Sequence, residues 1–181
     1  SLEMLENFNP CFVLDLTATP KKESNIISYV DAVQLKNEHM VKLPVIVYNR
    51  DSQSEVLIDA IDLRNKLEEI ADAEYAKTGK YIRPIALFQA QPKGKEDATT
   101  FEKLRDKLVD AGIPAEQIAI RTADVNELKN TDLMSPSCPI RYIITVNALK
   151  EGWDCPFAYI LASLANKTSQ VDVEQILGRI L

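Results

Sequence analysis

Residues 82–89, Ile-Arg-Pro-Ile-Ala-Leu-Phe-Gln (IRPIALFQ), decide the fold class of this chain. The run is mostly apolar, and it lies between a helical pattern that ends at Gly79 and a second helical pattern that begins near Asp97. A short apolar run between two helical patterns is typical of a strand that is buried on both faces of a parallel sheet. This stretch therefore predicts an α/β fold.

Similar runs recur along the chain, and each contains β-branched or aromatic residues, which favour strands. Because these runs alternate with helical patterns, we predict a mostly parallel sheet. The other predicted strands are Cys11–Leu16 (CFVLDL), Leu43–Tyr48 (LPVIVY), Gln117–Ile120 (QIAI), Ile140–Val146 (IRYIITV) and Tyr159–Ala162 (YILA).

The helical patterns repeat apolar residues every three to four positions. One is expected over Ser54–Thr78, where Gly79 is a stop signal, and another over Asp97–Ala111, followed by Gly112. A short helix is also possible at Val125–Lys129, within the polar connection from Thr122 to Pro139. The segment 21–42 has weak periodicity and is predicted to be a linker with a short helix or an edge strand.

Composition excludes several classes of protein. The 181 residues are 46% hydrophobic and 27% charged, which is typical of a folded globular domain. Cys11, Cys138 and Cys155 form no C-x-x-C pair, and His39 is the single histidine, so we expect no metal site and a reducing compartment, the cytoplasm. No apolar run reaches the length of a membrane helix. The net charge of -6 counts against a nucleic-acid binder, but it allows a local basic groove.

Four short segments carry polar residues suited to ligand binding. Thr17-Ala-Thr19-Pro20 follows one predicted strand and Gln89 lies at the end of another, and open α/β sheets bind ligands where their strands end. The third segment, 144–156 (ITVNALKEGWDCP), leads from a strand into a glycine-containing loop. The fourth, 173–181 (VEQILGRIL), carries an arginine that suits a phosphate. Taken singly, each is also compatible with an ordinary turn, a core tryptophan anchor or a surface salt bridge.

In their order and spacing, these segments resemble the conserved motifs of superfamily two (DEAD/DEAH-like) helicases. Thr17-Ala-Thr19 resembles motif III, Phe88-Gln89 motif IV, 145–154 motif V, and 175–179 (QILGR) the Q-x-x-G-R of motif VI. The phrases KTGKYIRPIALFQAQ and NALKEGWDCP are especially similar to the restriction (Res) subunit of type III restriction-modification enzymes. The resemblance implies a RecA-like (P-loop NTPase-like) three-layer sandwich.

The resemblance also implies roles for individual residues. Arg179, as an arginine finger, and Gln175 would be catalytic, in a reaction that depends on positioning and charge stabilisation. The residues expected at the nucleotide are Gly152, Asp154, Gly178 and Arg179, and those expected to contact the nucleic acid or couple it to the nucleotide are Thr17, Thr19, Gln89, Thr145 and Asn147. ATP and Mg²⁺ are the implied cofactors. The implied partners are DNA, the first RecA-like domain of the same parent chain and a modification (methyltransferase) subunit, with no membrane.

The chain departs from the family pattern in ways that indicate a fragment. It contains no G-x-x-x-x-G-K-[ST] phosphate loop and no D-E-x-H-like strand end for magnesium. We therefore expect 1–20 to be a strip of the first RecA-like domain, 21–42 a linker or edge element, and 43–181 the second RecA-like domain, truncated at motif VI. ATP and Mg²⁺ would be bound mainly by the missing first domain, with none held firmly by this fragment, which would be inactive alone.

Three alternatives differ from this hypothesis in the sequence features that they require. Excision-repair helicase subunits have a related motif V loop, so another superfamily two DNA helicase is possible. A non-catalytic α/β nucleic-acid-binding module would keep the fold without the ordered motifs. A dinucleotide dehydrogenase would require G-x-G-x-x-G after a strand, and the sequence has none.

Overall fold

The protein is an α/β chain built on a four-stranded, all-parallel sheet. The computed structural model describes residues 7–17, 25–38, 40, 42, 45–92, 99–146 and 155–164. In chain order, its elements are helix α1 (Ala32–Asn37), helix α2 (Gln53–Thr78), strand β1 (Ile85–Gln89), helix α3 (Phe101–Asp110), a 3-10 turn (Ala115–Gln117), and strands β2 (Ile118–Arg121), β3 (Tyr142–Thr145) and β4 (Ala158–Ser163).

The strands lie in the order β2-β3-β1-β4, so the strand formed by residues 85–89 is central. Every side chain of β1 is buried, as expected for a strand covered on both faces. The pairing is in register at the carboxyl ends: Gln89 is opposite Thr145 on one side and Ser163 on the other, and Arg121 is opposite Thr145. The last residues of all four strands therefore form one row.

The two faces of the sheet are covered differently. Helices α2 and α3 pack on the face that carries Phe88 and Ile144, which we call the helical face. Leu87 and Ile143 project to the opposite face, where Leu128, Leu133 and Phe157 cover them. We call this the loop face. The resulting three layers, helices, sheet and connecting segment, are consistent with a RecA-like sandwich.

The strand order explains why successive connections lie on opposite faces of the sheet. From β1 to β2 the chain crosses the sheet in one direction, and from β2 to β3 it returns in the opposite direction. Because parallel crossovers are almost always right-handed, a reversal of direction transfers the connection to the other face. Helix α3 accordingly lies on the helical face, and the 122–141 connection lies on the loop face.

Helix boundaries follow from capping residues. The side chain of Ser52 accepts the N–H of Glu55 at the start of α2, and Gly79 ends the helix with a left-handed φ of 71°. The side chain of Thr100 caps α3 in the same way, and Leu104 and Leu108 are its buried residues. The predicted helix over 54–78 and the stop at Gly79 are confirmed, as is a helix within 97–111, which begins at Phe101.

Four of the predicted strands are confirmed: the runs at 82–89, 117–120, 140–146 and 159–162 form β1, β2, β3 and β4. The first is shorter than predicted, starting at Ile85, because Pro84 has no N–H to donate to a ladder. Segment 21–42 contains helix α1 rather than an edge strand among its described residues.

Three predicted elements are wrong over the residues described. Cys11–Leu16 and residues 45–48 form no strand, since no neighbouring strand in the described part of the chain pairs with them, and their side chains are exposed. Val125–Lys129 is a series of turns rather than a helix, because the N–H of Glu127 donates to the carbonyl of Ile120 and draws this segment back along β2. Leu43 and Pro44 lie outside the described residues.

Lys42 and Gln53 each bond to the edge of the sheet that β4 forms. The Lys42 ammonium donates to the Ala158 carbonyl at 2.9 Å, and the Gln53 side chain donates to the Leu164 carbonyl at 3.5 Å. The apolar residues 45–48, which lie between Lys42 and Gln53 in the sequence, are exposed. Within the described ranges, no helix is both long and apolar enough to cross a membrane.

Candidate functional site

A row of polar side chains crosses the carboxyl edge of the sheet. It consists of Arg121, Thr145, Gln89 and Ser163, each the last residue of its strand, in that spatial order. Since side chains alternate along a strand, all four project to the loop face, opposite Phe88 and Ile144. Adjacent strands lie about 4.8 Å apart, so the row extends roughly 14 Å. The carboxyl edge of a parallel sheet is where open α/β folds bind ligands.

Gln89 and Ser163 are joined at one end of the row. The Ser163 hydroxyl donates to Gln89 Oε1 at 2.8 Å, and Gln89 Nε2 donates weakly to the Val146 carbonyl at 3.4 Å. The Gln89 backbone carbonyl accepts the N–H of Leu164. These contacts fix the orientation of a buried amide, so Gln89 presents a defined donor and acceptor at the sheet edge.

Thr145 differs from its neighbours in the row because no described residue bonds to its hydroxyl. The residue is 1% exposed, and Oγ1 has no hydrogen-bond partner among the described residues. A buried polar atom without a partner costs about 1–3 kcal/mol, so it calls for a specific explanation, such as a functional role or an ordered water. The backbone of Thr145 is held by the ladder and by the bond from the Ala90 N–H. The hydroxyl is therefore fixed in place just beneath the surface of the sheet edge.

Arg121 lies at the other end of the row, beside a cavity of about 360 Å³. The cavity is formed by the loop-face covering and is lined by Arg121, Asn126, Leu128, Thr131, Asp132, Leu133, Met134, Cys155 and Pro156. Apolar walls with a few polar groups are typical of small-molecule and cofactor sites, and this volume is at the small end of their range.

The Cys155 thiol lies in the cavity wall. Burial raises the pKa of Cys155, although the Phe157 and Ala158 amides and the charges of Lys42 and Arg83 partly oppose that shift. The thiolate is the reactive form of cysteine, so a raised pKa disfavours a nucleophilic role for this residue. Within the described ranges, no three His, Cys, Asp or Glu residues are grouped so that they could hold a metal ion.

The structure brings together two of the residues predicted from separate motifs. Gln89 and Thr145 are direct partners in the β1–β3 pairing and share the loop face. Thr17 is exposed in the irregular segment 9–17, away from any described strand. The other predicted site residues lie outside the described part of the chain: Thr19, Asn147, Gly152, Asp154, Gln175, Gly178 and Arg179.

Sequence reasoning did not identify Arg121 or Ser163. Both directly follow apolar residues of a strand, just as Gln89 and Thr145 do. A search for polar residues at the ends of all the buried strands would have found them.

The fold and this edge define a parallel α/β domain with a polar row and an adjoining cavity. Comparison with protein families, with curated proteins and with solved structures gives no match.

Proposed function

We propose that this chain is a motor-domain fragment of an ATP-dependent DNA translocase of superfamily two, whose parent is the restriction subunit of a type III restriction enzyme. The observation that supports this most directly is the pairing of Gln89 with Thr145. The two residues lie 56 positions apart in sequence and belong to different predicted motifs. They nevertheless meet at the carboxyl edge of the sheet, where parallel sheets bind their ligands.

In this proposal the polar row contacts the backbone of a DNA strand. Hydroxyl and amide groups are common donors to phosphate oxygens, and such contacts fix position without reading sequence. The Thr145 hydroxyl is buried and has no partner among the described residues, so a phosphate oxygen that reached it as the strand bound would satisfy it. Sequence recognition would belong to a separate methyltransferase subunit.

ATP and Mg²⁺ would be held mainly by the first RecA-like domain of the parent, in the cytoplasm. When bound, ATP supplies the free energy for movement along DNA. From this chain, Gly152, Asp154 and Gly178 would contact the nucleotide, with Gln175 and Arg179 acting in hydrolysis. The fragment alone would then hydrolyse no ATP. Thr17 and Thr19 would couple the nucleotide state to the DNA contact, and Asn147 would extend that contact.

The N-terminal residues also support a fragment of a larger motor. Residues 11–16 have a strand composition, yet Phe12 and Leu16 are exposed and no described strand pairs with them. Strand-forming apolar residues are stable in water only when a sheet covers them. A sheet in another part of the parent, such as that of the first motor domain, would provide this cover.

Binding of the 181-residue chain to single-stranded DNA tests the proposed contact. Thr145→Val removes a hydroxyl that has no partner among the described residues, so we expect the free energy of unfolding to be unchanged or slightly higher. We expect DNA affinity to fall roughly three- to tenfold, the value of one hydrogen bond. Fluorescence anisotropy with a labelled oligonucleotide measures the affinity, and urea unfolding measures the stability.

Thr99→Val is the matched control. Thr99 is also a buried threonine, but its hydroxyl donates to Gln53 at 2.7 Å on the α2 side. We expect this variant to lose about 1 kcal/mol of stability and to retain its DNA affinity. If Thr145→Val bound DNA as tightly as the unmodified chain, the strand contact would be rejected. An excision-repair type of helicase would use the same contact, and duplex unwinding by the parent would favour that alternative.

A further inference from the structure

Arg121 occupies a position in the row that no motif assigned. It ends β2 as Thr145 ends β3, and the two residues are paired in register. Both side chains project to the loop face, and the arginine also lines the cavity there. A cation thus lies one strand away from the Thr145 hydroxyl, which no described residue bonds.

The other partly or fully buried arginines of the described chain have structural partners. Arg64 and Arg141 pair with Glu68, and Arg105 pairs with Glu127. Arg83 donates to three backbone carbonyls. Arg121 donates only to the carbonyl of the next residue, Thr122, at 3.2 Å, and it makes no ion pair with a described carboxylate.

Further polar groups in the cavity are also uncommitted. The side chains of Asn126 and Thr131 line it and have no hydrogen-bond partner among the described residues. The carboxylate of Asp132 is exposed and accepts a hydrogen bond from the N–H of Met134 at 2.9 Å. This carboxylate is therefore bonded within the turn that contains it. Leu128, Leu133 and Met134 contribute apolar surface to the same cavity. The cavity therefore offers a cation, neutral donors and an apolar surface side by side.

We propose that Arg121 and this cavity bind one nucleotide unit of the DNA strand that crosses the sheet edge. The guanidinium holds a phosphate oxygen pair, for which its planar fork is suited, and the apolar wall receives the sugar or base. Arg121 and Thr145 then contact the same strand, about one β-strand spacing apart. This inference rests on the proposed function, because it takes a DNA strand at the carboxyl edge of the sheet as its starting point.

The test uses the 181-residue chain and a fluorescein-labelled oligothymidine at several salt concentrations. Arg121→Gln removes the charge, and we expect affinity to fall roughly tenfold or more, the value of a hydrogen bond to a charged group. The slope of log affinity against log salt should decrease in magnitude by about 0.7, one phosphate contact on a single strand. Arg121→Lys keeps the charge without the fork, so its affinity should be intermediate and its salt slope unchanged.

Arg50→Gln is the matched control, since Arg50 is an exposed arginine whose replacement changes the net charge equally. We expect Arg50→Gln to change the DNA affinity by less than twofold, because salt screens a charge that is distant from the bound strand. An equal fall in both variants would overturn the site, because it would show only a response to net charge. Urea unfolding of each variant checks that the fold is kept, and Arg121→Lys provides the decision if the glutamine variant is unstable.

The outcomes separate this site from the proposed function. If Thr145→Val weakens binding and both Arg121 variants do not, the strand contact stands and the Arg121 site is rejected. If only the Arg121 variants weaken binding, the site stands and the Thr145 contact fails. A chain that binds no DNA rejects both. If Arg121→Gln lowers affinity for ATP but not for oligothymidine, the cavity binds a free nucleotide and the DNA-strand assignment is overturned.

Discussion

At the scale of single residues, Arg83 shows how a cation can belong to an apolar strand run. It is 1% exposed, and its guanidinium donates to the carbonyls of Ser135 and Cys138 at 2.8 Å each, and to that of Leu133. Its charge also lies 5.8 Å from the centre of the Phe157 ring. Carbonyl oxygens therefore replace the water that a buried cation requires. Through these bonds Arg83 fixes the 133–138 segment, which forms part of the cavity wall.

Arg83→Met should destabilise the fold. Methionine keeps most of the apolar volume but leaves three carbonyls without their donor, so we expect the free energy of unfolding to fall by about 3 kcal/mol. Urea unfolding followed by circular dichroism measures this change. Arg50→Met is the comparison, and since the ion pair of Arg50 with Asp59 and its contact with the Tyr48 ring are exposed, its cost should be below about 1 kcal/mol. Equal stability of the two variants would show that the Arg83 bonds contribute little.

Some of the site residues could be predicted from the sequence and others could not. Gln89 and Thr145 could be predicted because each lies at the end of a buried strand within a recognisable motif, and the structure places them side by side. Arg121 has the same local position, but its significance depends on the cavity and on the lack of a carboxylate partner. Both of those properties arise from the 122–141 connection, whose path over the sheet no local pattern encodes.

At the scale of elements, Glu68 links helix α2 to strand β3. Its carboxylate pairs with Arg64 one helical turn earlier and accepts a 2.8 Å hydrogen bond from Arg141, next to the first residue of β3. Burial raises the pKa of Glu68, but the hydrogen bond from Arg141 and the charge of Arg64 outweigh burial, so the pKa lies below its ordinary 4.5. Helix and sheet are thus connected by a charge pair as well as by apolar packing.

This link predicts a pH dependence of stability. Because the folded-state pKa of Glu68 is lowered, its contribution is fully present above pH 4.5 and is lost as pH falls through the folded-state pKa. Near neutral pH, Glu68→Gln should reduce the free energy of unfolding by about 1–2 kcal/mol, and this difference should shrink steadily below pH 4.5. Urea midpoints at a series of pH values provide the measurement.

Glu69→Gln is the control for that series, since Glu69 is exposed one position along the same helix. Its stability should follow that of the unmodified chain within about 0.5 kcal/mol at every pH. If the two variants had the same pH profile, the Glu68 network would not be the source of the effect.

The elements themselves were predicted to different extents, for a physical reason. The runs that became β1 to β4 and the helix over 53–78 form within the described chain, because each has a neighbour to cover its apolar side chains. Residues 11–16 and 45–48 have a similar composition, but no neighbour among the described residues covers them. Composition records the tendency to be extended, whereas a strand also requires a second strand to pair with.

At the scale of the whole molecule, the described chain accounts for the proposed DNA contact more fully than for the ATP site. The polar row and its cavity lie among described residues, while Gly152, Asp154, Gln175, Gly178 and Arg179 do not. In the proposed motor these residues would face the first domain. Hydrolysis of ATP would then require the assembled parent, whereas this chain alone would contribute part of the DNA binding.

Arg179→Ala in the full-length parent tests the ATP side of the proposal. An arginine finger stabilises charge in the transition state, so its loss should slow hydrolysis by a factor of about 10³ or more and leave ATP binding nearly unchanged. Steady-state hydrolysis and equilibrium binding of ATP give the two values. Equal losses in both would make Arg179 a ground-state ligand. A parent that hydrolyses no ATP would favour the non-catalytic binding module.

The position of β4 sets the time at which this domain can form during synthesis. The strand is near the end of the described chain, yet it and the next residue, Leu164, bond to Lys42 and Gln53 across 116 and 111 residues. The end of β4 lies 85 residues beyond the end of α2, and ribosomes add about 5–20 residues per second, so helix α2 would wait roughly 4–17 s for the strand it packs against. During that interval the apolar face of α2 has no β4 to cover it. Nascent chains of this protein should therefore depend on chaperones until about residue 164 has left the ribosome.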